Sequence, residues 1–122
     1  MKIRIKGASI RIRLSRSEVA RLVHEGTVTE STPFGTTTFK YTLQRQEEGE
    51  ALSAQFEDGQ ITMFVPAQLI KDWDTNSLIT IDGHMQVANE QALYLLLEKD
   101  FQCIDATTED QSDNYINPNK AC

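Results

Sequence analysis

Five cations near the start of the chain stand at alternate positions: Lys2, Arg4 and Lys6, then Arg11 and Arg13. Ammonium and guanidinium groups gathered on one surface suit phosphate or a nucleic-acid backbone, because each donates charge-assisted hydrogen bonds to an oxyanion. Arg4, Lys6, Arg11 and Arg13 are therefore the candidate ligand-binding residues. Five like charges on one strand pair also repel one another unless an acidic group offsets them, and charged strand faces guard edges against aggregation. The acidic tail or an acidic neighbouring strand could supply the offset. No glycine-rich phosphate loop accompanies the cations.

Two further groups could carry chemistry. Glu109, Asp110 and Asp113 with Asn114 offer oxygen donors suited to calcium or magnesium. Their spacing departs from the twelve-residue calcium loop and no glycine sits at the bend, so a solvated acidic tail is the favoured reading. Cys103 with Asp100 and a distant histidine, His24 or His84, contains the elements of an activated thiol. Neither histidine has a motif around it, and a buried structural cysteine at the end of a strand is the favoured reading. A zinc site of two cysteines and two histidines would need Cys122 to return to the domain. No metal ligand and no cofactor is expected.

The elements that must position these residues follow from periodicity. Lys2 to Lys6 alternates, Gly7-Ala8-Ser9 can turn the chain, and Ile10 to Leu14 alternates again, which predicts a hairpin with its cations on one face. Ser15 with Glu18 forms a capping box that opens a helix over 15–25, and Gly26 stops it. Thr27 to Thr32 reads as an edge strand, broken at Pro33-Phe34-Gly35, and Thr36 to Arg45 as a longer strand. Leu52 to Phe56, Asp58-Gly59 and Ile61 to Val65 make a second hairpin. Pro66 opens a second short helix with Trp73 as its core anchor. Leu78 to Ile81 is a strand, Asp82-Gly83 a turn, and Leu93 to Glu98 a strand for the sheet centre.

The second series repeats the first. Ile10-Arg-Ile-Arg-Leu through Leu22 matches Ile61-Thr-Met-Phe-Val through Trp73 in apolar placement, fifty-one residues apart and without a gap. The expected fold is α+β: a mainly antiparallel β-barrel or strongly curved sheet with two short helices, built as a pseudo-repeat of ββαβ(β) units. One domain would span 1–105, with repeat units at about 2–50 and 52–104 and an acidic C-terminal tail over 106–122. Val19, Leu22, Phe39, Tyr41, Phe56, Met63, Ile70, Trp73, Leu95 and Leu97 are the expected core.

Charge limits the function. The first 22 residues hold seven cations and one acid, whereas the other hundred hold five cations and seventeen acids. The overall net charge of −6 argues against broad nucleic-acid binding. Lys2, Arg4 and Lys6 interrupt any signal-peptide core, and the longest apolar run, Ala92 to Leu97, is too short to span a bilayer. With two cysteines outside any disulfide framework, a cytoplasmic location and no membrane partner are expected.

Three stretches carry a resemblance. MKIRIKGASIRIRLSRSEV, STPFGTTTFKYTL, and EKDFQCID followed by EDQSDNYINPN together resemble a family of short uncharacterised bacterial proteins without an assigned activity. DGQITMFVPAQLIKDW is also similar to the half-unit of AbrB-like swapped-hairpin regulators, which implies a double-psi or related cradle-loop barrel. Glu57 and Asp58 stand where those DNA-binding halves are basic, and the first hairpin lacks the proline. The expected function is a non-catalytic binding or interaction module for an anionic partner or for its own acidic tail, with the ligand unspecified. The alternative is a metal-dependent enzyme acting on a phosphate ester or similar anion.

Overall fold

The computed structural model describes residues 1–102 and 113–116. The elements run β1 (Lys2–Ile5), β2 (Ser9–Leu14), α1 (Arg16–Glu25), β3 (Thr27–Pro33), β4 (Thr38–Gln46), β5 (Ser53–Glu57) and β6 (Gln60–Pro66). A single 3-10 turn (Ala67–Leu69) precedes β7 (Thr80–Ala88), β8 (Gln91–Lys99), β9 (Phe101–Gln102) and β10 (Tyr115–Ile116).

The strands make two mixed four-stranded sheets, ordered β1-β2-β8-β7 and β3-β4-β6-β5, and β9 pairs with β10. The outer pairs of each large sheet are antiparallel hairpins. The central pairs, β2 with β8 and β4 with β6, are parallel. Parallel neighbours cannot be joined by a tight turn, and here each central pair joins strands distant in sequence. Each sheet thus takes one hairpin from either half of the chain. The α1 segment carries the chain from the first sheet to the second, and the segment after β6 carries it back.

This corrects the expected architecture. Among the described residues no closed barrel forms, so the barrel implied by the likeness to swapped-hairpin regulators does not hold, and one α-helix is present there rather than two. The two expected ββαβ units are unlike in the element meant to define them. α1 has strong ends: the Glu18 carboxylate accepts from the Ser15 backbone N–H at 2.9 Å, and Gly26 closes the helix at φ 87°. Beyond Pro66 there is no such frame. Ile70 and Trp73 make i→i+3 bonds to the carbonyls of Ala67 and Ile70, and Asp72 turns left-handed at φ 58°. One tight turn seats Trp73 fully in the core, where its Nε1 donates to the Leu78 carbonyl at 2.7 Å. A longer helix is not needed to bury that ring.

Two other local expectations also give way. Asp82-Gly83 lies inside β7, where Gly83 faces Leu95 and lets the Leu52 backbone approach. The chain turns instead at Asn89-Glu90, where the residue types also predict a turn, with both residues at positive φ. Phe56, expected in the core, is 68% exposed, and Phe39 and Tyr41 are only half-buried. The remaining expected core side chains are buried, joined by Ile10, Ile12, Leu14, Val28, Leu43, Ile61, Val65 and Ile81.

Candidate functional site

Alternation along β1 and β2 sends Ile3, Ile10, Ile12 and Leu14 inward and the basic side chains outward. Cross-strand register pairs Lys2 with Arg13 and Arg4 with Arg11, so four cations share the outer face of the first sheet. They line a shallow hollow of about 180 Å3. The parallel joint then brings β8 alongside. Arg13 lies beside Glu98 and Arg11 beside Leu96 in the register. The Nε groups of Arg11 and Arg13 both reach Glu98 Oε1, at 3.1 and 2.6 Å. Lys2 Nζ is 3.1 Å from Asp100. Among the described residues, Arg4 and Lys6 have no acidic partner.

Of the four candidate cations, then, the structure places Arg4, Arg11 and Arg13 together and binds two of them to one carboxylate. Lys6 sits apart at the hairpin end, where its backbone pairs with Ser9. On the same sheet face, Tyr94 donates to Asp82 at 3.1 Å and its ring lies 4.8 Å from that of His84. The hydrogen bond to Asp82 raises the Tyr94 pKa, with smaller effects from burial and nearby charges.

The other candidates are dispersed. His24 meets Asp74 at 2.8 Å, far along the chain from His84 on β7. Asp113 is held at the start of α1: its carboxylate accepts from the Ser17 backbone N–H at 3.2 Å and hydroxyl at 2.6 Å, and its carbonyl from the Arg16 N–H. The Ser17 hydroxyl chiefly keeps the Asp113 carboxyl below its ordinary pKa. The described part of the tail thus contacts the helix, not the hairpin cations. Cys103, Cys122, Glu109, Asp110 and the boundary expected at 105 lie outside the described residues. Among the described residues, no three histidine, cysteine or acidic side chains are grouped to hold a metal. Among them, too, no helix is long and apolar enough to cross a membrane.

A larger recess lies elsewhere among the described residues. The β1–β2, β5–β6 and β7–β8 hairpin ends contribute Ile5, Phe56, Val87 and Leu93 to an apolar cleft of about 510 Å3, with Phe39 from β4 as a further wall. Ile10, Ile61 and Met85 form more of its lining, and Gln55 borders it. Ile5, Phe56 and Val87 are 54, 68 and 50% exposed. Periodicity alone placed Ile5 and Phe56 on the inward side of their strands. Alternation reports a side chain's direction, however, and not whether a second layer reaches it. The two sheets cover the middle of each strand and leave these end positions open.

The chain belongs to a family of unknown function (DUF7009), whose model matches residues 1–119. No curated protein and no solved structure matches it.

Proposed function

We propose that this member of the family is a non-catalytic binding module whose ligand seat is the cleft between the sheets. The observation that carries the reading is a recess of about 510 Å3 with an almost wholly apolar lining and exposed Ile5, Phe56 and Val87 at its mouth. Small-molecule sites are concave and mostly apolar, with a few polar groups that fix orientation. Contiguous exposed apolar surface also marks a binding site more often than chance solvent exposure. The occupant that fits is a small uncharged apolar molecule.

Nile red, an uncharged apolar dye, tests this. Saturable binding with a fluorescence rise is expected for the native chain. Ala54→Phe, which adds a ring at the cleft wall, should abolish it. Undiminished binding in that variant rejects the cleft as the seat.

A second reading rests on the outer face. Arg4 and Lys6 lack acidic partners among the described residues, and Arg4 shares the shallow hollow with Lys2, Arg11 and Arg13. An anionic ligand there would bind less tightly as salt rises. Arg4→Ser with Lys6→Ser should remove salt-sensitive retention on heparin; retention equal to that of the native chain rejects the site.

A further inference from the structure

Lys99 ends the row Leu95, Leu97, Lys99 on the inward side of β8, at the far end of the strand from the cleft. It is only 4% exposed. A buried ammonium is costly unless its donors and charge are met. Lys99 has three N–H donors. Nζ donates to the Asn76 carbonyl at 2.8 Å, and otherwise faces aromatic rings: Tyr115 at 4.9 Å and Trp73 at 5.7 Å. Burial lowers the Lys99 pKa, and the charge of Asp74 partly opposes that shift. Asp74 is itself bound to His24.

Lys99 and Tyr115 line one cavity of about 340 Å3, whose apolar walls include Ile79 and Phe101. The Tyr115 hydroxyl is buried and has no hydrogen-bond partner among the described residues. Two residues with unmet donors, one cationic and incompletely bonded, the other with a buried hydroxyl that has no acceptor among the described residues, therefore line the same hollow. A buried polar group in this condition calls for an explanation, and a carboxylate supplies both acceptor oxygens and the opposing charge. The flanking side chains suit an apolar body.

We propose that this cavity is a second binding site, which takes a small monocarboxylate with an apolar body, held by Lys99 and Tyr115. The inference stands on the Lys99 end of the fold and is independent of the cleft.

Sodium benzoate is the probe. Trp73 is the chain's one tryptophan, and its ring lies beside Lys99, so its emission reports the site directly. The native chain should show a saturable change with benzoate, and benzamide, of the same shape but uncharged, should bind roughly tenfold more weakly or worse. Lys99→Met should lose the benzoate response, whereas Ala54→Phe at the cleft should keep it. No saturable change in the native chain, an equal response in Lys99→Met, or a response lost in Ala54→Phe but kept in Lys99→Met would each overturn the proposal. Far-UV circular dichroism checks that Lys99→Met is folded. If it is not, Tyr115→Phe decides: several-fold weaker benzoate binding supports the site, and unchanged affinity overturns it.

Discussion

Arg13 donates its Nε to the Glu98 carboxylate at 2.6 Å across the parallel joint between β2 and β8. Arg11 reaches the same oxygen at 3.1 Å. One acid thereby offsets two cations that the hairpin would otherwise set side by side. Glu98 is mostly buried, with 12% of its side chain exposed, and both arginines are partly covered.

Glu98→Gln should therefore lower stability by about 1 kcal/mol, since it leaves two neighbouring guanidinium groups without their shared partner. The same change should strengthen retention on a polyanion column. Urea denaturation at low and high salt checks the first effect: the deficit should shrink as salt screens the arginines from each other. A variant as stable as the native chain at low salt would mean that the contact contributes nothing.

Acid should loosen the start of α1. Burial raises the Glu18 pKa, but its bonds to the terminal ammonium of Met1 and to Ser15 outweigh that effect and hold it below its ordinary 4.5. A carboxyl with a lowered folded pKa contributes stability that is complete above its ordinary value. That contribution is lost as pH falls through the folded value. Glu18→Gln should cost about 1–2 kcal/mol at neutral pH, and the two stability curves should converge in acid. Parallel curves from pH 7 downward would contradict this assignment.

Removal of the Trp73 indole should be severe. The ring is fully buried and its Nε1 donates to the Leu78 carbonyl. Trp73→Ala combines a large cavity with an orphaned carbonyl and should cost about 3–5 kcal/mol. Trp73→Phe retains most of the volume and should cost less. Thermal unfolding ranks the two, and a milder effect of the alanine variant would contradict the packing described.

Gly26 ends α1 at φ 87°, and a Cβ there would meet the Arg45 guanidinium at 3.4 Å. Arg45 also bonds the Val23 carbonyl, and its backbone N–H donates to the Gly26 carbonyl at 2.8 Å. Gly26→Ala should lower stability by about 1 kcal/mol or more through backbone strain. A neutral or stabilising change in urea denaturation would show that the left-handed cap is not required.

At the cleft, stability and binding should separate. Phe56 is mostly exposed, so Phe56→Ser should change stability by no more than about 0.5 kcal/mol. Nile red binding should fall all the same, because the ring borders the recess. Equal dye affinity in the variant would place the dye elsewhere.

What could be read along the chain was whatever a few neighbouring residues decide. The hairpin of β1 and β2, the basic outer side that holds Arg4, Arg11 and Arg13, both ends of α1, and the central place of β8 follow from alternation, caps and apolar runs. Such signals act within one turn or one strand. The pairing of hairpins does not: Arg13 and Glu98 are 85 residues apart, and nothing near either residue names the other. Only burial of a shared interior selects which hairpins lie side by side, and that choice made two open sheets in place of a barrel. It also reduced the expected second helix to one turn, because Trp73 found its seat without more. The cleft at the hairpin ends and the enclosure of Lys99 exist only where distant strands meet, so tertiary packing alone decided them.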